Sequence, residues 1–219
     1  MPETTRIEDT LIRGYRQLAL ETPARPRDFV LRALDVVLAS LFLLLSLPVS
    51  LTIAVLVLVT SGRPVLYRGE RVGRGARVFT MYKFRTLQRG AETRLGPYLG
   101  EELVSRTQGE FTQVGRWLKA TQLDEIPQFV NVLRGDMSLV GPRPLPVRDY
   151  NGFSQDWHRR RFSVRPGITC LWQVNGRSRL PFERWMELDM EYIDQWSLWL
   201  DIKILMKTFA AVLRQSGAA

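Results

Sequence analysis

From Val36 to Thr60 the chain runs for 25 residues without a charged side chain, and Pro48 stands in the middle of that run. At about 1.5 Å per residue, a straight helix of this length reaches across the ~30 Å hydrocarbon core of a bilayer. Pro48 removes one backbone hydrogen bond and crowds the preceding turn, so a kink is predicted there. Arg25, Arg27 and Arg32 precede the run, and Arg63, Arg68, Arg71, Arg74 and Arg77 follow it. Positive charge beside a membrane segment marks the cytoplasmic side, and here it stands at both ends. Two geometries remain open: an ordinary span kinked at proline, and a re-entrant helix that breaks near Ser46-Leu47-Pro48 and returns to the face it entered. The double basic flank favours the second, with the Ser46 hydroxyl available to a carbonyl freed at the break.

Elsewhere the pattern alternates between short elements. In residues 4–20, Ile7, Leu11, Ile12, Tyr15 and Leu18 fall near helical spacing with Arg6, Arg13 and Arg16 between them, which predicts an amphipathic helix lying on a membrane surface. Val65-Leu66-Tyr67 and Val78 to Tyr82 read as strands around a Gly/Arg-rich turn. Residues 88–111 are polar and Gly-rich and read as a mobile loop. A helical pattern covers Val114 to Val132, and a final amphipathic helix covers about Leu188 to Arg214. Pro/Gly corners stand at Gly141-Pro142-Arg143-Pro144 and Arg165-Pro166-Gly167. The predicted organisation is an N-terminal amphipathic extension (1–28), a membrane helix (29–62) and one globular domain (63–219), of α/β class but mostly α. Trp117, Trp196 and Trp199 suit either core packing or anchoring at a membrane interface.

Composition adds an anionic partner. The 219 residues carry 31 basic and 22 acidic side chains, a net charge of +9, and beside a membrane segment anionic lipid is the first choice. Cys170 is the only cysteine, so an internal disulfide is excluded. Met1 to Glu21 holds four acids and no continuous apolar core, which is unlike a signal peptide.

Asp124-Glu125 is the best candidate for chemistry. Adjacent acids on a helix diverge by roughly 100° and can take different tasks around one substrate, with Thr121 in an N-cap position three residues earlier. The plain alternative is two acids complementing a helix dipole. The cations change that balance. Lys83 and Arg85 alternate, so on a strand both face one side. Arg143 is held between two prolines, Arg165 precedes Pro-Gly, and Arg177 follows Gly176. Rigidly mounted arginines suit a diphosphate, since a guanidinium binds phosphate oxygens bidentately. His158 lies among Arg159, Arg160 and Arg161, a poor setting for a general base, and Cys170 lacks an evident activating base. Gly69, Gly73 and Gly75 match neither the dinucleotide nor the P-loop spacing.

Asp124-Glu125-Ile126-Pro127-Gln128, continuing through Asn131 to Ser138 and on through Val140-Gly141-Pro142-Arg143-Pro144, resembles the bacterial sugar transferases, the monotopic phosphoglycosyl transferases. Supporting blocks are Tyr82 to Thr86, Arg165 to Thr169, Trp172 to Arg177, Leu188 to Tyr192 and Trp196 to Lys203, so the resemblance covers about residues 29 to 214. It implies transfer of a sugar 1-phosphate from a UDP-sugar to undecaprenyl phosphate with release of UMP. Asp124 would carry a phosphosugar intermediate. Glu125 would orient the acceptor phosphate or share a Mg²⁺ with Asp124. Lys83, Arg85, Arg143 and Arg177 would meet phosphate, Arg165 would join the substrate-binding set, and Gln173 and Asn175 would lie nearer the uridine or its turn. The resemblance also implies a re-entrant hairpin broken at proline, with Ser46 and Pro48 at the break, and a catalytic domain on the cytoplasmic face of the bacterial inner membrane. Cys170 stands where relatives usually have glycine, which would strain the backbone if that position needs a positive φ.

Two other readings stay open. A hydrolase could split the same diphosphate with water as acceptor, and a non-catalytic polybasic adaptor could use the arginines for anionic lipid. Nucleic-acid binding is disfavoured, because the cations gather at Pro/Gly corners and membrane flanks. The sugar is not legible, and a homodimer is left open by the amphipathic stretches 4–20 and 188–214.

Overall fold

In the computed structural model, residues 26–91, 109–147, 156–176 and 180–213 are described. The amphipathic helix expected at 4–20, most of the loop expected at 88–111, and Arg177 lie outside them. The described chain is mostly helical with two small sheets.

Helix α1 runs from Pro26 to Ser61, 36 residues or about 54 Å, and is long and apolar enough to cross a membrane. Pro48 lies inside it, so the helical run is not interrupted at Ser46-Leu47-Pro48 as the sequence suggests. The Ser46 hydroxyl donates to Leu43 O at 3.4 Å and the Thr52 hydroxyl to Pro48 O at 3.0 Å. Ser46 therefore does not take the Leu44 carbonyl, which is the one Pro48 deprives of its helical partner.

Polar groups near both ends of α1 tie it to the domain. Asp35 Oδ1 accepts from Leu139 N at 2.9 Å and from the Ser138 hydroxyl at 3.0 Å. Arg32 donates to the carbonyls of Val132 and Leu133. At the other end, Arg85 donates to the carbonyls of Ser61, Gly62 (2.8 Å) and Arg63 (3.2 Å). The first is a carbonyl that a helix C-terminus leaves without an intrahelical donor, and the other two belong to the turn just after it. Phe42 stacks on Phe129 with ring centroids 4.1 Å apart. Ile53 and Val57 pack with Phe84, Leu118 and Ile126. Between these contacts Leu44, Leu45, Leu47 and Leu51 are exposed, an apolar stretch with nothing from the domain upon it.

Strands β1 (Leu66–Val72) and β2 (Val78–Phe84) form an antiparallel hairpin, longer than the sequence pattern indicates, with Tyr67 opposite Lys83. Helix α2 (Gln113–Thr121) is capped by the Thr112 hydroxyl, which accepts from Gly115 N at 2.9 Å. It ends at Gln122, whose left-handed backbone (φ 59°) breaks the continuous helix expected over 114–132. A single 3₁₀ turn, Leu123–Glu125, then leads into α3 (Gln128–Arg134). Thr121 is thus no N-cap; its hydroxyl donates back to Trp117 O at 2.9 Å.

Strand β3 (Ser138–Val140) pairs in parallel with β5 (Gly167–Thr169), and β4 (Leu145–Pro146) joins the edge of β1. The β3–β5 pairing explains both Pro/Gly corners. Gly141 N donates to Thr169 O and Gly167 N to Pro142 O, each at 3.0 Å. A Cβ on Gly167 would lie 2.1 Å from Gly141 N, so the two corners approach at a distance only glycine allows. A 3₁₀ segment (Asp156–Ser163) precedes β5, and α4 (Leu171–Asn175) follows it. The single helix expected from Leu188 is two, α5 (Phe182–Asp194) and α6 (Leu198–Leu213). Ser197 opens the second by accepting from Leu200 N, and Asp201 receives the Tyr192 hydroxyl and Trp196 Nε1, both at 3.0 Å. Trp196 is therefore fastened into the core, whereas Trp117 and Trp199 are exposed.

Replacing Asp35 by alanine strips a buried amide and hydroxyl of their acceptor, an effect of about 1–3 kcal/mol. For a chain of this length that corresponds to a drop of roughly 5 °C in the thermal midpoint of the detergent-held protein. Asp35→Asn, which keeps an acceptor, should fall less; equal midpoints for Asp35→Ala and wild type would remove Asp35 as an anchor.

Candidate active site

The 3₁₀ turn at Leu123–Glu125 points its two acids into different surroundings. Glu125 Oε1 lies 2.6 Å from Lys83 Nζ and 3.7 Å from an Arg143 Nη2. Asp124 is 2 % exposed, yet its Oδ1 has no hydrogen-bond partner among the described residues. Lys83 comes from β2, Arg143 from the corner after β3, and Lys119 from the last turn of α2, so three separate elements bring cations to the two acids.

The acids titrate in opposite senses. Burial pushes the Asp124 carboxyl above its usual range, and the pull of Lys119, Lys83 and Arg143 only partly offsets this. Burial acts on Glu125 in the same sense, but Lys83, Arg143 and Lys119 overcome it and hold that carboxyl well below the ordinary range. Lys83 is shifted down by burial, opposed by Glu125 and Asp124. The result is one carboxylate saturated with cations and a second, desolvated one with a free oxygen inside the same positive field.

Arg143 is aimed by more than its prolines. Its guanidinium lies 5.8 Å from the centre of the Trp172 ring, and Trp172 stacks on Trp185 at 4.7 Å. Its carbonyl accepts from Arg161 at 2.7 Å, and Arg161 pairs with Asp189 at 2.9 Å, with both side chains buried. Burial raises the Asp189 carboxyl to about 6 despite Arg161. Arg161 and Asp189 are contributors to this region that the sequence reading passed over. Their signal was the charged Arg159-Arg160-Arg161 run, in which only tertiary packing shows which cation turns inward.

The remaining candidates divide. Lys83, Asp124, Glu125 and Arg143 come together. Arg85 does not join them: it sits on the carbonyls closing α1, because it lies one residue past β2. Arg165 donates to Gly135 O at 3.1 Å and lines a cavity of about 170 Å³ beside Asp28 and Asp35 of α1, remote from Asp124 in its contacts. Gln173 sits on α4, one residue after Trp172, and its Oε1 accepts from the Cys170 thiol at 3.2 Å. Asn175 ends α4 and is exposed. Cys170 has an extended backbone (φ −155°, ψ 169°), which any residue adopts, so the strain anticipated there is absent. His158 is buried, with Nε2 3.2 Å from Glu183 Oε2.

As for a metal, the described residues contain no group of three or more His, Cys, Asp or Glu side chains placed to share an ion. The donor set still fits magnesium, which commonly takes one or two carboxylates and completes its shell with substrate phosphate and water. The two carboxylates that would hold it are Asp124, which has an oxygen with no protein partner, and Glu125, which Lys83 holds in place.

Two measurements check these electrostatics. A carboxylate with a depressed folded pKa contributes stability that is present above its unfolded value and lost as pH falls toward the folded one. Wild type should therefore lose stability on acidification below about 4.5, the ordinary value for Glu125, and Lys83→Met should show a shallower loss in acid denaturation. Burial lifts the Cys170 thiol to about 12, so iodoacetamide at pH 8 should alkylate it only after unfolding, as read by intact mass.

A model of the bacterial sugar transferase family matches residues 26–215. The chain is 40% identical over 169 residues to the galactosyl transferase CpsE of Streptococcus agalactiae serotype III, covering 72% of this chain and 36% of that protein. It is 36% identical over 204 residues to the undecaprenyl-phosphate galactose phosphotransferase of Salmonella typhimurium, covering 89% and 42%. It is 38% identical over 199 residues to the UDP-glucose:undecaprenyl-phosphate glucose-1-phosphate transferase of Caulobacter vibrioides, covering 87% and 72%. The chain thus spans about two fifths of the length of the first two. With the match running from the start of the membrane helix to past the last described one, the chain belongs to the bacterial sugar transferase family.

Proposed function

We propose that this protein transfers a sugar 1-phosphate from a UDP-sugar to undecaprenyl phosphate, releasing UMP, through a covalent phosphosugar on Asp124. The observation that carries this reading is the unpartnered Asp124 oxygen, buried among Lys83, Arg143 and Lys119 while Glu125 takes the direct ion pair. An Asp124 oxygen attacks the phosphorus bonded to the sugar, and the bond from that phosphorus to the UMP oxygen breaks, the electron pair leaving with UMP. A phosphate oxygen of undecaprenyl phosphate then attacks the same phosphorus and frees the carboxylate. Dividing the transfer replaces one difficult displacement with two easier ones. Lys83 and Arg143 neutralise charge on the phosphates, and Glu125 holds both cations in place. Asp124 and Glu125 would hold a magnesium ion, which would supply charge neutralisation for the departing UMP. The relatives' names include both galactose and glucose, so the proposal covers a hexose 1-phosphate without choosing between them.

The membrane helix fits this acceptor. Its two flanks pack on one domain, through Arg32, Asp35 and Phe42 on one side of Pro48 and Ile53 and Val57 on the other. Its apolar middle, with Leu44, Leu45, Leu47 and Leu51, is exposed. These contacts support a helix that dips into the bilayer and returns, with the site at headgroup depth on the cytoplasmic face of the inner membrane. The adaptor reading is weakened because Arg85 and Arg161 are buried and bound to carbonyls or Asp189, out of reach of lipid.

Intact mass of the nanodisc-held protein with Mg²⁺ and a panel of UDP-sugars, without acceptor, tests this. A gain of one sugar phosphate is expected in wild type and not in Asp124→Asn. No gain with any donor, and no UMP release once undecaprenyl phosphate is added, would overturn the reading.

A further inference from the structure

Asp124 is not the only buried polar group left without a partner near the site. Gln128, four residues on, is 2 % exposed, and nothing among the described residues accepts a hydrogen bond from its Nε2. Burying an amide donor without an acceptor is destabilising. A methionine would fill similar space without that penalty.

The backbone places this amide beside the nucleophile. Ile126 (φ −51°, ψ −43°) and Pro127 (φ −62°, ψ −17°) continue the right-handed path of the Leu123–Glu125 turn into α3. The turn and the first residues of α3 are held by bonds three residues back, Ile126 N to Leu123 O and Phe129 N to Ile126 O, so Gln128 follows Asp124 about one turn later on the path that leads to Asn131. Asn131 shows what this path packs against. Its Nδ2 donates to Thr80 O at 2.7 Å and its Oδ1 accepts from Tyr82 N at 3.1 Å, both on β2. The next residue of β2 is Lys83, which reaches Glu125. The turn and α3, which both pack against β2, thus carry three buried polar side chains. The one farthest from the acids is fully paired, and the two nearest them are each left with an open atom.

Taking the transferase reading above as its basis, we propose that the Gln128 carboxamide is a substrate-binding group of the reaction: its Nε2 donates to a non-bridging oxygen of the phosphoryl group that Asp124 attacks. The open carboxylate oxygen and the open donor are then complementary. One supplies electrons to phosphorus, and the other meets negative charge on the phosphoryl oxygens as the bond to UMP breaks. Lys83 and Arg143 provide net charge from the Glu125 side, whereas Gln128 provides a directed, uncharged donor from the side of α3. No proton moves on Gln128 in either displacement.

The test is Gln128→Met in the full-length, nanodisc-held protein. Removing one preorganised donor of this kind lowers turnover by about 10²–10³-fold. UMP release should fall by about that factor, in kcat more than in KM for the UDP-sugar. The thermal midpoint should hold or rise, because an unpaired buried donor has been removed. A structural amide would move the other way, with the midpoint falling and the surviving folded fraction keeping wild-type turnover. Gln128→Glu serves as a second variant: it keeps the shape but sets a carboxylate against the phosphoryl group, and should lose at least as much turnover as the methionine variant. Turnover of Gln128→Met within about threefold of wild type, or loss only in step with unfolding, overturns the assignment while leaving the transferase reading intact. Wild type that releases no UMP with any donor overturns the reading and this inference together.

Discussion

Asp35 is a carboxylate on a helix otherwise suited to lipid, and its acceptance of hydrogen bonds from Leu139 N and the Ser138 hydroxyl sets much of the remaining architecture. Within a bilayer, apolar contact between a helix and its neighbour is weakly driven, since lipid tails are as apolar as leucine. Polar contacts therefore decide where α1 attaches. Asp35 and Arg32 fasten one flank to β3 and to the end of α3, and Arg85 collects the carbonyls at the other end. Because β3 pairs with β5, the same attachment reaches the two Pro/Gly corners, one of which mounts Arg143. The groups of the candidate site inherit their position relative to α1 from these few bonds.

The second constraint is the unequal treatment of two adjacent acids. Three cations near two carboxylates would leave both inert as nucleophiles if each were paired. The 3₁₀ turn prevents that by sending Glu125 toward Lys83 and Arg143 and leaving Asp124 with an open oxygen in the same field. The cations offset part of the burial that raises the Asp124 carboxyl. Around this pair lies a supporting layer: Trp172 and Trp185 beneath Arg143, and the Arg161–Asp189 pair on its carbonyl. That layer holds the arginine against the entropy of its own flexible stem.

Much of this was legible from the residues alone. The apolar run, the Asp124-Glu125 pair and the two Pro/Gly corners are local signals, each tied to a backbone or solvation requirement that a short stretch of chain carries with it. The strand pair around the Arg-rich turn belongs to the same class, whereas the N-cap expected at Thr121 does not form. What misled was also local. Lys83 and Arg85 look equivalent by strand alternation, but β2 ends at Phe84, and one residue beyond the sheet Arg85 finds the carbonyls at the end of α1 instead of phosphate. Helical periodicity across 114–132 hid the left-handed Gln122, and periodicity after Leu188 hid the Ser197 cap.

Long-range partners could not be read in this way. Arg161 meets Arg143 and Asp189, Arg32 meets the end of α3, and Glu125 meets Lys83 across 42 positions of sequence. A charged residue's spacing states that it can pair, not with what, since the partner is chosen by which elements pack side by side. The sequence by itself determined the long apolar segment and the family and singled out the pair of acids, because hydrophobicity, backbone restriction and motif order reside in contiguous residues. Only the tertiary structure decided which acid is left open, which arginines serve the site and which serve the scaffold, because burial and charge pairing are properties of the packed whole.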